Sequence, residues 1–222
     1  MSSARELLQK HWGWSDFRPG QKEVIDASLS GENTLVVLPT GGGKSLCFQL
    51  TALLQDGICV IVSPLVALMI DQVSALKSKN IRAMSIHGSM GENELVEALD
   101  QCAFGNIKHL YLSPERLCNP IVCERLKNLP ISLLAVDEAH CISQWGHDFR
   151  PAYRQIAQFH RIINKPPVMA LTATATPKVK ADIIASLQLE DTQVIQTSFF
   201  RPKSVLSCHS YRKQTRRHTV DV

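Results

Sequence analysis

Seven short apolar runs along the chain have the length of buried β-strands. Between most of them, apolar residues recur at three- and four-residue spacing, as Leu65, Met69, Val73 and Leu76 do, and this spacing predicts helices. Strands that alternate with helices predict an α/β fold with a mostly parallel sheet covered by helices on both faces. The apolar runs lie at 34–38, 58–62, 81–86, 109–112, 131–136, 168–171 and 193–197.

Local sequence predicts where two of these helices begin. Ser89 and Glu92 have the spacing of a capping box, ahead of a helix that carries Leu95. Thr176 and Pro177 place a cap residue directly before a proline at the first helical position. We therefore expect one helix to begin after Ser89 and another after Thr176.

The composition is that of a soluble globular protein. Of the 222 residues, 45% are hydrophobic and 20% are charged, and this length suits one large domain or two small ones. No segment resembles a secretory signal or a run that spans a bilayer, so we expect a cytoplasmic protein, nucleoid-associated in a bacterium, with no membrane partner. The formal net charge of +4 permits nucleic-acid binding without requiring it.

The cysteines favour neither disulfides nor a metal site. There are seven, an odd number, and none has the Cys-x-x-Cys spacing, so we interpret them as reduced thiols. His140, Cys141 and His147 are close in sequence, but no fourth ligand stands at a spacing usual for zinc. We therefore disfavour a zinc site.

A glycine-rich segment lies between a predicted strand and a predicted helix. In a phosphate-binding loop, backbone N–H groups surround the phosphates, Lys44 reaches the terminal ones and the Ser45 hydroxyl coordinates Mg²⁺. Leu38 stands where the strict pattern has its first glycine, so a chance match in a surface loop is the alternative, which the flanking strand and helix disfavour. The loop comprises Pro39, Thr40, Gly41, Gly42, Gly43, Lys44 and Ser45.

A second acidic site follows the predicted strand at 131–136. Asp137 and Glu138 come directly after this strand, and the carboxyl end of a parallel strand faces the crevice where ligands bind. Asp137 is placed to hold the Mg²⁺ of MgATP, and Glu138 to orient and deprotonate the attacking water. A solvated Asp-Glu pair is the alternative. Together with the lysine loop, the pair predicts an ATPase whose catalytic residues are Lys44, Asp137 and Glu138.

Further motifs occur in one order along the chain. Their combination closely resembles the first RecA-like lobe of the RecQ family of superfamily 2 DNA helicases, from about Leu7 to Pro202, and the segment 137–150 is highly specific to that family. The resemblance implies a RecA-like P-loop NTPase domain of an ATP-dependent helicase that moves 3′ to 5′ on DNA and works in recombination and repair. The motifs are Phe17-Arg18-Pro19-Gly20-Gln21, the phosphate loop, Val62-Ser63-Pro64-Leu65, Ser113-Pro114-Glu115-Arg116-Leu117, Asp137-Glu138-Ala139-His140, the stretch 143–150, and Thr172-Ala173-Thr174-Ala175-Thr176.

The resemblance assigns adenine recognition to the amino-terminal segment. It implies that Trp14 stacks on adenine and that Arg18 and Gln21 contact the base. An aromatic face and an amide that both donates and accepts suit these roles. The alternative is that Trp12, Trp14 and Phe17 are core aromatics.

The resemblance also implies a set of residues that bind DNA or couple it to ATP. Residues just past the ends of β-strands would hold the DNA backbone independently of base sequence. Residues in the aromatic-rich loop would stack on bases and report DNA occupancy to Glu138. The alternatives are ordinary turn residues, a helix that packs Trp145 and Phe149 into the core, and a strand end with a helix cap at Thr172 and Thr174. The set is Pro64, Leu65, Pro114, Arg116, His140, Gln144, Trp145, His147, Phe149, Arg150, Thr172 and Thr174.

The chain divides into three parts on these grounds. We expect a helical lead-in with the adenine-recognition motif at 1–30, a RecA-like ATP-binding domain at 31–202, and a disordered or truncated tail at 203–222. In the family, a second RecA-like lobe supplies an arginine to the γ-phosphate, so the resemblance implies that activity needs that lobe. After Arg201-Pro202 the sequence departs from the family pattern, and we expect this chain to end where the second lobe begins.

The expected partners are ATP and DNA, single-stranded or at duplex junctions, and the expected state is a monomer. Two alternatives remain open. One is a module that binds ATP and single-stranded DNA without motor activity. The other is the lobe of an RNA helicase or a remodelling ATPase, against which the loop from Trp145 to Arg150 argues.

Overall fold

Eight helices and eight strands make up the described part of this chain. The computed structural model describes residues 3–146 and 148–197 and the backbone of 209–210. The helices are α1 (Ala4–Trp12), α2 (Gln21–Leu29), α3 (Lys44–Leu54), α4 (Val66–Lys77), α5 (Glu92–Phe104), α6 (Pro120–Leu126), α7 (Ile156–Ile162) and α8 (Pro177–Leu187). The strands are β1 (Thr34–Val37), β2 (Ile58–Val62), β3 (Ala83–Ile86), β4 (His109–Leu112), β5 (Ile131–Val136), β6 (Val168–Thr172), β7 (Gln193–Gln196) and β8 (His209–Ser210). Short 3₁₀ helices lie at Pro114–Arg116, Ala139–Ile142 and Pro151–Gln155.

The strands form one sheet in the order β3-β4-β2-β5-β6-β1-β7-β8. All pairs from β3 to β7 are parallel, and only β8 pairs antiparallel, with β7. All seven predicted strands are present with ends within two residues of the apolar runs. The prediction of a mostly parallel α/β sheet is therefore confirmed.

Both faces of the sheet are buried. Along β2, Val60 packs into one apolar cluster while its neighbours Cys59 and Ile61 pack into the cluster on the opposite face. Strand β5 alternates in the same way between Leu134 and Leu133. Because successive side chains of a strand point to opposite faces, continuous apolar runs are what a sheet covered on both sides requires.

One of the two predicted helix starts is confirmed and the other is wrong. The Thr176 hydroxyl accepts a hydrogen bond from the Val179 N–H at 3.3 Å, with Pro177 at the first helical position. Helix α5 instead begins after Gly91, whose N–H donates to Glu94 Oε2 at 3.0 Å. Ser89 is unsuited to cap it because its hydroxyl bonds to His87 Nδ1 at 2.8 Å.

The lead-in helices pack onto the helix that follows the phosphate loop. Leu8 of α1 and Ile25 of α2 form a small core with Leu46 and Leu50 of α3. Of the tail at 203–222, the structure describes only 209–210, which form strand β8. The disorder expected for the rest of the tail lies outside the described residues. His147, a predicted DNA-contact residue, also lies outside them. The three-part division stays a prediction.

The described residues contain neither a membrane-spanning helix nor a metal cluster. No helix within them is long and apolar enough to cross a membrane. No three His, Cys, Asp or Glu side chains in the same ranges are grouped as a metal site would require. The six cysteines that fall in these ranges are free thiols, as expected.

Candidate nucleotide and nucleic-acid site

The carboxyl edge of the sheet gathers the residues that carry the predicted chemistry. Strand β1 leads into the phosphate loop, β5 into Asp137, β6 ends at Thr172 and β2 leads to Ser63. Since β1 pairs with β6, β6 with β5 and β5 with β2, these four strand ends lie side by side. Ligands bind at this edge in open parallel sheets.

The phosphate loop has the backbone that its glycines permit. Gly41 and Gly43 both have φ of +77°, a left-handed conformation that costs other residues energy. At Gly43 the space is also closed, since an added Cβ would lie 2.3 Å from Gln21 Nε2. Leu38, the departure from the strict pattern, is buried, and its N–H donates to Thr172 O at 3.1 Å, so this position continues the strand and needs no glycine.

Lys44 is the first residue of α3, directly after the loop. Its ammonium donates to Leu38 O at 3.3 Å within the loop itself. Loop N–H groups at a helix amino terminus attract anions, and the lysine lies beside them. Among the described residues, the Lys44 ammonium is therefore held by one hydrogen bond to a carbonyl, which a phosphate oxygen can replace.

The predicted adenine-binding residues surround the same loop. The Gln21 amide is fully buried and donates to Gly42 O at 3.2 Å and Gly43 O at 3.1 Å, while its oxygen accepts from the Arg18 N–H at 2.9 Å. The Arg18 guanidinium donates to Gly41 O and lies 5.4 Å from the centroid of the Trp14 ring. These contacts give Gln21 and Arg18 a role in shaping the loop, and base recognition by them stays a prediction.

The exposure of the amino-terminal aromatics separates the two interpretations given to them. Trp14 is 41% exposed, which suits a ring that stacks on a ligand and does not suit a core residue. Trp12 and Phe17 pack against the apolar clusters of the lead-in helices. The core interpretation thus holds for these two rings and fails for Trp14.

Asp137 is a buried carboxylate that has no cationic partner among the described residues. It is 8% exposed, and no described lysine or arginine lies within ion-pair distance of it. Burial, together with the charge of Glu138, raises its pKa to about 6. Its oxygens accept from the Glu138 N–H at 3.0 Å and the Ser63 hydroxyl at 3.4 Å. A divalent cation at this carboxylate would supply the missing opposite charge.

Glu138 is held in a strained backbone conformation next to His140. Its φ is +46°, which is uncommon for a residue with a side chain and typical of functional sites. Glu138 Oε2 lies 3.3 Å from His140 Nδ1, and the same nitrogen lies 3.0 Å from Thr172 Oγ1. Contacts with the Cys141 sulfur and with Glu138 raise the pKa of His140 to about 10, and the His140 contact lowers that of Glu138. At neutral pH the pair is therefore ionised.

The aromatic loop lies against the segment that follows β6. Trp145 is 63% exposed, so the alternative that it packs in the core is wrong. Trp145 lines a cavity of about 80 Å³ together with Thr174 and Thr176, and His140 lines the same cavity. The Lys178 ammonium lies 3.1 Å from the centroid of the Trp145 ring.

The second aromatic residue of the loop is only half-buried. Phe149 has the Arg154 guanidinium 5.2 Å from its centroid. Tyr153, one helical turn on, is fully buried and donates its hydroxyl to Asp137 O at 2.9 Å. The loop is thus anchored to the backbone of the acidic site.

The remaining predicted DNA contacts lie on the strand ends beside this loop. Arg150 donates to Pro64 O at 2.8 Å, which joins the aromatic loop to the turn after β2, where Leu65 is exposed. Arg116 donates to the backbone oxygens of His87, Gly88 and Met90 at 2.5–3.2 Å. Its guanidinium thus holds the loop after β3. Contacts of Arg116 and Pro114 with the DNA backbone stay predictions, as does the coupling role of the exposed Gln144.

Four residues of the site were not singled out from sequence. Ser63 lies within the motif Val62-Ser63-Pro64-Leu65, and a hydroxyl at a strand end beside an acidic strand end is the signal that points to it. Tyr153, Arg154 and Lys178 carry no local pattern that points to the site. Only the packing of the 3₁₀ helix and of α8 onto the loop brings them there.

Comparison with known proteins agrees with this geometry. The sequence pattern of the DEAD/DEAH box helicase family matches residues 18–183. The chain is 44% identical to the probable ATP-dependent DNA helicase RecS of Bacillus subtilis, over 93% of this chain and 41% of that protein. It is also 44% identical to the ATP-dependent DNA helicase RecQ of the same organism, over 89% of this chain and 34% of that protein. The chain therefore spans about two fifths or less of these curated relatives.

A solved structure shows the same fold. The helicase domain of Pyrococcus furiosus Hef matches with a TM-score of 0.64 and 24% identity, over 88% of this chain and 40% of that chain. The predicted RecA-like fold is thereby confirmed, and the identity to RecS and RecQ confirms the resemblance noted from the motifs. Since the family pattern covers most of its length, the chain belongs to the DEAD/DEAH box helicase family.

Proposed function

We propose that this chain is the ATP- and DNA-binding first motor lobe of a RecQ-type ATP-dependent DNA helicase. The proposal includes movement 3′ to 5′ on DNA, a role in recombination and repair, and a second RecA-like lobe that completes the active site. It also includes a cytoplasmic or nucleoid-associated monomer. The identity to RecS and RecQ supports the family-level part of this proposal.

The observation that carries the proposal is the position of His140 between two sites. Its ring nitrogen Nδ1 lies 3.3 Å from Oε2 of Glu138, the candidate base, and 3.0 Å from Thr172 Oγ1. His140 also lines the cavity that Trp145 lines. A motor lobe needs nucleotide chemistry and DNA occupancy to influence each other, and the contact of His140 with Glu138 and its place in the cavity beside Trp145 support such a link.

The donor set fits Mg²⁺. This ion keeps several waters and binds proteins through one or two carboxylates together with substrate phosphates, and Asp137 is a buried carboxylate without a cation among the described residues. Asp137 and the Ser45 hydroxyl would hold the ion. Bound there, Mg²⁺ would neutralise charge on the β- and γ-phosphates.

The protein's own groups supply binding and proton transfer. Lys44 and the loop N–H groups bind the terminal phosphates. The Glu138 carboxylate, whose pKa is lowered by the hydrogen bond from His140, accepts a proton from the attacking water. His140 fixes the orientation of that carboxylate. A DNA strand whose base stacks on Trp145 would press on the cavity that His140 lines, and so shift the contact between His140 and Glu138.

The test is a DNA-stimulated ATPase assay with Glu138→Gln. We expect the chain alone to hydrolyse ATP near background and to unwind nothing, because one lobe provides half of the site. Joined to a second RecA-like lobe, it should show DNA-stimulated turnover, which Glu138→Gln should lower by about 10²–10⁴-fold while MgATP still binds. The exposed Glu190→Gln is the matched control and should change neither.

Two results would contradict the proposal. Full turnover by Glu138→Gln in the two-lobed protein would exclude Glu138 as the base. Stimulation by RNA and not by DNA would favour the remodelling or RNA helicase alternative, and binding of both ligands without any stimulated turnover would favour a binding module.

A further inference from the structure

Each of the three rings that are proposed to stack on a base has a basic side chain over it. Arg18 lies over Trp14 at 5.4 Å, Arg154 over Phe149 at 5.2 Å, and Lys178 over Trp145 at 3.1 Å. A cation within about 6 Å of a ring centroid is attracted by the ring's quadrupole. The closest contact is that of Lys178, an exposed residue that none of the motifs includes.

Apart from the Trp145 ring, the described surroundings of Lys178 do not stabilise its positive charge. It is the second residue of α8, where the positive end of the helix dipole disfavours a cation. Within the described residues it forms no ion pair, although Asp182 lies one turn further along the same helix face. Lys180 of the same helix differs, since its ammonium donates to Gln196 Oε1 at 2.8 Å.

The ring face cannot hold the ammonium and a DNA base together. A stacked base needs the space that the Lys178 ammonium occupies at 3.1 Å from the centroid. When a base takes this face, the ammonium is displaced to its rim, with a phosphodiester of the same nucleotide within reach of a flexible four-carbon side chain. The strand offers one negative charge per nucleotide, and Lys178 has no competing carboxylate contact in the described structure.

We propose that Lys178 is a further DNA-contact residue, which rests on the Trp145 ring while the stacking face is empty and moves to a strand phosphate when a base binds there. This inference rests on the proposed function, because it requires that Trp145 stack on a base. It assigns to α8 a contact with the sugar-phosphate backbone that is independent of base sequence.

The salt dependence of binding tests this assignment. Fluorescence anisotropy of a fluorescein-labelled oligothymidine, titrated with the full chain, would be measured at several salt concentrations for the native protein, Lys178→Ala, Lys178→Arg and Lys180→Ala. Loss of one phosphate contact to a single strand should flatten the slope of log K against log salt by about 0.7. For a fourfold rise in salt, native affinity should therefore fall about 2.6-fold more than that of Lys178→Ala.

The matched variants make the result specific. Lys180→Ala removes the same charge from the same helix and should keep the native slope, and Lys178→Arg should restore it. Without DNA, acrylamide should quench Trp145 fluorescence more strongly in Lys178→Ala than in the native protein, with Trp145→Phe as the reference for the other tryptophans. Identical slopes for Lys178→Ala and Lys180→Ala would overturn the inference, as would tighter binding by Lys178→Ala at an unchanged slope.

The failure of this inference can be told from failure of the proposed function. If Trp145→Ala weakens binding while Lys178→Ala behaves as Lys180→Ala, only the role of Lys178 is lost. If the native chain shows no salt-dependent binding, or if Trp145→Ala binds as the native chain does, the proposed DNA contact of the loop fails, and the role of Lys178 fails with it.

Discussion

Replacing Asp137 with Asn should make the nucleotide-free protein more stable while it removes Mg²⁺-dependent nucleotide binding. Burial raises the pKa of Asp137 from an ordinary 3.8 to about 6, so the folded state disfavours the charged form. Asn keeps the shape, can accept from the Glu138 N–H as Asp137 does at 3.0 Å, and carries no charge. The substitution therefore removes a cost that the carboxylate imposes on the folded state.

The size of this free-energy cost follows from the pKa shift of Asp137. Each pKa unit corresponds to about 1.4 kcal/mol, so a shift from 3.8 to about 6 amounts to about 3 kcal/mol at neutral pH. For a chain of this length each kcal/mol moves the melting temperature by about 2–4 °C. We expect Asp137→Asn to raise the free energy of unfolding by about 2–3 kcal/mol and the melting temperature by about 4–12 °C.

The pH dependence of the free energy of unfolding follows from the direction of this pKa shift. A group whose folded pKa is raised contributes stability that is fully present below its unfolded pKa and is lost as pH rises through its folded pKa. The native protein should therefore lose stability relative to Asp137→Asn between about pH 4 and pH 6, and the two should melt together below that window. Stabilising substitutions at functional sites that cost activity are a known pattern.

Thermal melts across pH, with and without Mg²⁺ and a non-hydrolysable ATP analogue, would measure this. Asp56→Asn, an exposed change of the same charge, is the control and should leave the melting temperature within about 1–2 °C of native. Nucleotide should stabilise the native protein and not Asp137→Asn. If Asp137→Asn instead melts below the native protein at neutral pH, the buried carboxylate is compensated by a contact that the described residues do not contain.

Three further outcomes are expected. Lys44→Ala should abolish MgATP binding in a fluorescence titration without lowering the melting temperature, and unchanged affinity would exclude the phosphate-loop assignment. Gly43→Ala should destabilise the protein by about 1–3 kcal/mol in denaturant melts and weaken nucleotide binding, because its φ is +77° and its Cβ would meet Gln21; Gly88→Ala, which meets nothing within 4 Å, should do neither. Trp145→Ala in a two-lobed protein should abolish the stimulation of ATPase activity by DNA. It should lower the free energy of unfolding by much less than the loss of about 3–5 kcal/mol expected for a buried aromatic residue. A loss of stability of that size with normal DNA stimulation would show that the ring has a structural role.

Much of the fold could be predicted because a sheet buried on both faces requires strands with consecutive apolar residues, which are visible in the sequence. Strands such as β2 and β5 must be apolar at every position, since alternate residues enter opposite cores. Helix boundaries depend also on contacts between side chains. Helix α5 begins after Gly91, because the Ser89 hydroxyl has a partner in His87 that local spacing does not reveal.

The chemistry of the phosphate loop and of Asp137 was also determined by the sequence itself. A loop of glycines between strand and helix, followed by lysine and serine, is dictated by the backbone N–H geometry that phosphate requires. A carboxylate directly after a buried strand must lie at the carboxyl edge of a parallel sheet. Neither conclusion depends on which strands are neighbours.

Tertiary structure alone decided what each polar side chain contacts. The strand order that sets β6 beside β5 brings Thr172 to His140. The fold also buries Gln21 against the phosphate loop and brings Arg116 to the carbonyls after β3. The ammonium of Lys178 reaches Trp145 only because α8 packs beside the aromatic loop. Such partners come from residues far apart in the chain, and hydrogen bonds and cation–π contacts depend on distance in space, which periodicity and spacing do not encode.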